Sequence, residues 1–170
     1  VRVVVTIYGK AFAAEVAAVV TLDYGRLKWD DAQVRTVIEA LRAAHAGGGL
    51  RKVEELDLDN NQMGDGAAAA LAALLEEGAM PNLKVLILDN NQIGDDGVAA
   101  LASALRGGAL PSCTTIGLSG NQIGDDGVAA LASALRGGAL PSCTTIELSG
   151  NPGSDDPVDE ALASPERLVA

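Results

Sequence analysis

The stretch NQIGDDGVAALASALRGGALPSCTTIGLSG at residues 91–120 returns as residues 121–150, and the only difference is a glutamate at position 147 in place of Gly117. A looser copy occupies residues 61–90, and the end of an earlier copy reads VEELDLDN. A fixed period of 30 residues is typical of proteins built from stacked structural repeats. The repeat therefore predicts the architecture. It says little about function, because surfaces that pack repeats together seldom contain catalytic residues.

One repeat, residues 83–112, has the pattern of a strand, a turn, a helix and a second turn. Leu86 and Leu88 alternate with polar or outward positions, as in a short strand with one buried face. Apolar residues at helical spacing from Val98 to Leu105 predict a helix. The glycine pair that follows is typical of a helix C-terminus.

Polar residues in this repeat have predicted structural roles. Asn91 follows the strand in a slot that recurs in every copy, so its side chain is expected to satisfy buried backbone groups in a ladder. Asp95 and Asp96 stand immediately before the helix, where carboxylates cap exposed amides and favour the positive end of the helix dipole.

A single unit cannot bury both its faces, so successive units are expected to stack strand on strand and helix on helix. Helices are wider than strands, and the stack must therefore curve with its sheet on the concave face. The prediction is one right-handed α/β solenoid of five to six coils. Residues 1–22 would form an N-terminal strand and helix cap, residues 23–150 the repeats, and residues 151–170 a C-terminal cap or tail. Residues 27–33 are aligned with LDLDNNQ as a divergent first repeat.

The motif Leu86-x-Leu88-x-x-Asn91-x-Ile93-Gly-Asp-x-Gly, followed by an Ala- and Leu-rich helix, resembles the ribonuclease-inhibitor type of leucine-rich repeat. Copies of the motif also begin at Leu56 and Ile116, and with partial copies the resemblance covers roughly residues 20–150. It implies a horseshoe segment with parallel strands on the concave face and helices on the convex face. It also implies that the protein acts mainly by binding other proteins.

The composition disfavours several classes of partner. A net charge of −11 and a pI near 4.3 argue against nucleic acid and anionic membranes, which need clustered Lys and Arg. No apolar run reaches the roughly 18 residues of a transmembrane helix. A basic protein partner stays open.

Cys113 and Cys143 occupy the first apolar slot of their strands, which favours buried thiols over a disulfide. We therefore expect an intracellular, reducing compartment. The organelle stays open, and because the chain begins with Val1, so does the question of a removed targeting segment.

The sequence predicts no enzyme. The acidic turns resemble calcium loops at two ligand positions, but the third is an apolar core residue, Met63 or Ile93. His45 is the only histidine, and no partners for a zinc site or a catalytic triad accompany it. No catalytic residue, cofactor or metal site is therefore predicted.

Outward positions of the predicted strands form the candidate protein-binding site on the concave face. Val85 and Ile87 are its centre, since apolar side chains on a polar exposed face are candidate contacts. The alternative is that they are ordinary surface aliphatics of a strand. The full set is Glu55, Asp57, Asp59, Val85, Ile87, Asp89, Thr115, Thr145 and Glu147.

The N-terminal edge is a second candidate surface. Val3, Val5 and Ile7 alternate in a β-prone segment whose edge either caps the solenoid or docks onto another protein.

These features together predict a non-enzymatic protein–protein interaction module that presents a rigid curved surface. One alternative is a structural subunit bound permanently in a larger assembly. Another alternative is a regulator of a small GTPase, since one branch of the family that this chain resembles acts in that way.

Overall fold

The computed structural model describes residues 18–164, in which five strands alternate with five helices. The elements are β1 (Thr21–Asp23), α1 (Asp31–Ala46), β2 (Glu55–Asp57), α2 (Asp65–Glu76), β3 (Val85–Ile87), α3 (Asp95–Arg106), β4 (Thr115–Gly117), α4 (Asp125–Arg136), β5 (Thr145–Glu147) and α5 (Asp156–Ala163). The strands form one parallel sheet in chain order, and each helix packs against the next. The candidate edge residues Val3, Val5 and Ile7 lie outside the described residues.

The strand register follows the sequence period. Leu56 pairs with Leu86, Leu86 with Ile116, and Ile116 with Ile146, so the central side chain of each strand faces the helices. These four side chains are buried in a core of aliphatic residues between the sheet and the helices. The predicted solenoid of parallel strands on one side and helices on the other is confirmed.

The alignment of residues 27–33 with LDLDNNQ was wrong. The first strand begins at Thr21, which pairs with Glu55 at a spacing of 34 residues. Arg26 and Lys28 have φ values of 60° and 55°, which no strand accommodates. The alternation of Leu27 and Trp29 was therefore misleading, because the extra residues form a turn.

The ladder of asparagines is confirmed. Asn91 is 7 % exposed, and its Oδ1 accepts the Met63 N–H at 3.0 Å. Its Nδ2 donates to the carbonyls of Leu58 and Leu88 at 2.9 and 3.2 Å. Asn61, Asn121 and Asn151 make the corresponding contacts in their own repeats. Each rung ties one turn to the preceding repeat.

Asp95, which was predicted to cap its own helix, caps the helix of the next repeat instead. Oδ1 of Asp95 accepts the N–H groups of Gly124 at 2.7 Å and Gly127 at 3.0 Å, both at the start of α4. It makes no capping hydrogen bond to its own helix, α3. Asp31 and Asp65 cap α2 and α3 in the same way. The carboxylates therefore act as contacts between repeats, which a single repeat read alone does not reveal.

In the described part of the chain, no helix is long and apolar enough to cross a membrane. Cys113 and Cys143 are both buried thiols, as their slot predicts.

Candidate functional site

The strand face is the surface formed by the outward side chains of β1–β5. One row runs through Glu55, Val85, Thr115 and Thr145, which pair in register. The next row runs through Asp57, Ile87, Gly117 and Glu147. The strand residues of the predicted site thus lie on one surface, which the sequence predicts to be concave. Asp59 and Asp89 lie where β2 and β3 end.

Acidic side chains concentrate at one end of the strand face. The acidic cluster consists of Asp23, Glu55, Asp57, Asp59 and Asp89. Asp57 lies directly opposite Asp23 in the β1–β2 register. Burial raises the pKa of Asp57, as do the neighbouring charges of Asp59, Asp23 and Glu55, against the lowering effect of the Asp59 N–H bond. Repulsion from these carboxylates thus adds to burial in disfavouring the ionised form of Asp57.

Asp89 turns toward the next repeat. Its Oδ1 accepts the Ser119 N–H at 2.6 Å, and its carboxylate covers Gly117, which is buried. Burial raises the pKa of Asp89, the hydrogen bond from Ser119 lowers it, and the charge of Asp59 raises it further. The space for this carboxylate exists only because position 117 has no side chain.

Asp59 turns the other way. Its Oδ2 lies 3.7 Å from Nε of Arg26, and its carboxylate occupies the space over Gly25. Arg26 lies in the turn after β1, where it partly offsets the charge of the cluster.

Val85 and Ile87 form an apolar strip beside the acidic cluster. Both are partly exposed, and β4 beyond them presents the small residues Thr115 and Gly117. Glu147 is exposed on β5, two strands from Ile87. The strand face therefore changes from acidic on β1 and β2, through apolar on β3, to small residues on β4, with the single carboxylate of Glu147 on β5.

The described residues contain no group of three or more His, Cys, Asp or Glu side chains that could hold a metal ion. An interior void of about 10 Å³ lies between the sheet and α3 and is lined by leucines and Ile116. It is at the lower limit of the volume that holds one water molecule, so this void offers no ligand site.

A groove at the amino-terminal ends of the strands was missed by sequence analysis. Its volume is about 470 Å³. Its lining residues are Val20, Arg51, Lys52, Glu54, Asn82, Lys84 and Ser112. These belong to turns that precede β1–β4, and the signal that could have found it is the pair Glu54 and Lys84, equivalent positions of consecutive repeats.

A family model for the leucine-rich repeat matches residues 49–72, 79–102 and 114–132. The chain therefore contains leucine-rich repeats in these three stretches. The three matches end at residues 72, 102 and 132, in step with the 30-residue period. Assignment of the repeats to the ribonuclease-inhibitor type stays a prediction. No curated protein matches the chain in sequence.

Two solved structures of leucine-rich-repeat proteins have a similar fold. The second actin-binding site of leiomodin-1 aligns with a TM-score of 0.68 at 17% identity, over 90% of this chain and 86% of that one. The C-terminal domain of tropomodulin from Caenorhabditis elegans aligns with a TM-score of 0.69 at 19% identity, over 97% of this chain and 93% of that one. At such low identity these likenesses concern the fold alone.

Proposed function

We propose that this leucine-rich-repeat protein is a non-enzymatic interaction module whose strand face binds a protein partner. The observation that carries the proposal is the placement of the apolar strip, Val85 and Ile87, directly beside the acidic cluster on one pre-formed surface. An apolar centre with a charged border is typical of protein interfaces.

The chemistry of this surface favours a basic partner segment. The pKa values of Asp57 and Asp89 are raised by burial and by neighbouring negative charge. A Lys or Arg of the partner would relieve that repulsion, and an aliphatic side chain beside it would cover Val85 and Ile87.

The rigidity of the repeat stack supports the same proposal. The asparagine ladder and the aspartate caps tie each turn and helix to the next repeat. A surface that is already ordered loses little conformational entropy on binding, so more of the contact energy contributes to affinity.

The experiment is an affinity capture from the source extract with two matched double variants. Val85→Arg with Ile87→Glu alters the strand face, whereas Ala99→Arg with Ser103→Glu places the same substituents on the exposed side of α3. Purified actin is also tested as a candidate partner, because the similar leiomodin-1 structure is that protein's actin-binding site. Mass spectrometry and titration of each captured protein give the readout.

A partner that binds the wild type and the α3 variant, but binds the strand-face variant at least tenfold more weakly, supports the proposal. A partner retained by both variants contradicts docking on the strand face. If that partner also co-purifies in fixed stoichiometry and resists salt, the alternative of a permanent structural subunit is favoured. If it is a small GTPase, a GTP hydrolysis assay tests the regulator alternative.

A further inference from the structure

The groove before β1–β4 is a basic site on an acidic protein. Of the nine Lys and Arg in residues 18–164, three line this groove: Arg51, Lys52 and Lys84. Glu54 is the only carboxylate in its lining, so the groove carries a net charge of +2 although the whole chain carries −11.

The cations of the groove remain available to a ligand. Arg51 and Lys52 are exposed, and neither has an ion-pair partner among the described residues. Lys84 pairs with Glu54 at 2.8 Å, but both side chains are about half exposed. An exposed pair of this kind contributes little to stability, so an incoming carboxylate can share Lys84 at little cost.

The walls of the groove are pre-organised by contacts between successive turns. Asn82 donates its Nδ2 to the Arg51 carbonyl at 2.6 Å, and Ser112 donates its Oγ to the Pro81 carbonyl at 3.1 Å. Val20 is 48 % exposed in the lining and offers an apolar contact beside the cations. A volume of about 470 Å³ accommodates several side chains.

We propose that this groove binds an acidic segment of a partner protein, with carboxylate side chains at Arg51, Lys52 and Lys84. This surface is separate from the strand face and goes beyond the function proposed above. A nucleic acid would extend far past the groove over a surface with a large excess of carboxylates, which repels phosphates. A second copy of the chain also carries a charge of −11, so two copies repel each other. Residues 1–17 carry two cations and one carboxylate and thus do not complement the groove.

The test uses a fluorescein-labelled peptide of six glutamates, with a six-glycine peptide as the reference. Anisotropy is measured near 0.15 M salt, where the screening length of about 8 Å removes repulsion from distant carboxylates but not contacts inside the groove. The groove variant carries Arg51→Glu and Lys52→Glu. It is compared with the helix-charge variant, which carries Arg35→Glu and Arg106→Glu. The second pair changes the net charge equally, and both of its residues are exposed on helices, outside the lining of the groove.

We expect the glutamate peptide to bind the wild type and the helix-charge variant within twofold of each other. We expect the glutamate peptide to bind the groove variant at least tenfold more weakly than the wild type. Lys84→Gln should also weaken its binding. Circular dichroism confirms that each variant is folded. The strand-face variant, Val85→Arg with Ile87→Glu, should bind like the wild type, so failure of one proposal leaves the other standing.

Three results would overturn the inference. The first is equal binding of the glutamate and glycine peptides, or equal losses in both charge variants. The second is tighter binding of a single-stranded deoxythymidine oligonucleotide, lost in the groove variant, because the ligand would then be a nucleic acid. The third is self-association of the wild type in sedimentation that the groove variant abolishes, because the occupant would then be a second copy.

Discussion

The carboxylate of Asp89 covers the α-carbon of Gly117 in the next repeat, and its Oδ1 accepts the Ser119 N–H at 2.6 Å. A β-carbon at position 117 would lie 2.5 Å from Oδ2 of Asp89. One repeat later, Ser119 takes the place of Asp89, and position 147 carries a glutamate. The single difference between the two repeats, Gly117 against Glu147, is thus accompanied by a change from Asp89 to Ser119 at the position that covers it in the first of them.

We predict that Gly117→Glu destabilises the protein by about 2 kcal/mol, because it displaces the Asp89 carboxylate and leaves the Ser119 N–H without its acceptor. Combining it with Asp89→Ser reproduces the arrangement of Ser119 and Glu147 and should recover most of the loss. Urea unfolding of both single variants and the double variant measures the coupling. Glu147→Gly, as a control, should cost no more than about 1 kcal/mol, the range for a glycine placed in a strand. Simple additivity of the two single variants would contradict this account.

Capping between repeats gives a second prediction. Asp95→Ala should lower the free energy of unfolding by about 1 kcal/mol, since the N–H groups of Gly124 and Gly127 lose their shared acceptor. The neighbouring Asp96 is exposed, so Asp96→Ala is a matched control with an expected change within about 0.5 kcal/mol. Urea unfolding compares the two variants, and equal effects would show that the loss comes from charge alone.

The stacked architecture was predictable from the sequence because the same pattern of residues recurs in successive repeats. Leu86, Asn91 and Ile93 recur at a constant period, and each structural role is visible in the pattern. The first repeat was misaligned because Leu27 and Trp29 alternate like strand residues. Only the β1–β2 pairing shows that they form a turn, where Trp29 packs against Tyr24 with ring centroids 5.8 Å apart.

Unlike the asparagine ladder, the aspartate caps and the basic groove were not predictable from one repeat. Asp95 precedes a helix in the sequence, and nothing local indicates that its carboxylate reaches the helix of the next repeat. The basic groove depends on side chains from four turns that are distant in the chain, such as Arg51 and Lys84. Both features can be recognised only from the structure, which shows that side chains of one repeat reach atoms of the repeat 30 residues further along the chain.

The asparagine ladder gives a third prediction. Asn91→Ala leaves the Met63 N–H and the Leu58 and Leu88 carbonyls without a side-chain partner in the core, and should cost about 3 kcal/mol. Asn151 is the last rung and is only half-buried, so water can replace its amide in Asn151→Ala. Urea unfolding should therefore show a clearly smaller loss for Asn151→Ala, and the reverse order would exclude burial as the cause.

The buried thiols give a fourth prediction. The pKa of Cys113 is raised to about 12, mainly by burial and in addition by the neighbouring Cys143, against the lowering effect of a backbone hydrogen bond at Thr115. The thiolate is the reactive form, so at pH 8 Cys113 should react with a thiol reagent at least a hundredfold more slowly in the folded protein than in urea. Cys143→Ser isolates the signal of Cys113, and rapid labelling of that folded variant would show that the slot opens to solvent.

The acidic cluster gives a pH dependence. Because burial and neighbouring carboxylates raise the pKa of Asp57, the folded state binds more protons than the unfolded state between the unfolded and folded pKa values. The contribution of Asp57 to stability is therefore present below the unfolded pKa and is lost as pH rises through the folded pKa. Asp57→Asn keeps an oxygen to accept the Asp59 N–H and removes the charge directly opposite Asp23. It should stabilise the protein at pH 7 by roughly 0.2–1 kcal/mol, the range for directly opposed like charges.

The gain from Asp57→Asn should disappear at about pH 3, where the wild-type carboxylate is protonated in both states. It should also shrink in 1 M NaCl, because the screening length of about 3 Å weakens the repulsion from Asp23 and Asp59. Urea unfolding at pH 3 and pH 7 measures the effect, with Asp96→Asn on the exposed end of α3 as the variant of equal net charge. A gain of the same size for both variants would assign it to the net charge of the chain, whereas a gain confined to Asp57→Asn assigns it to the strand face.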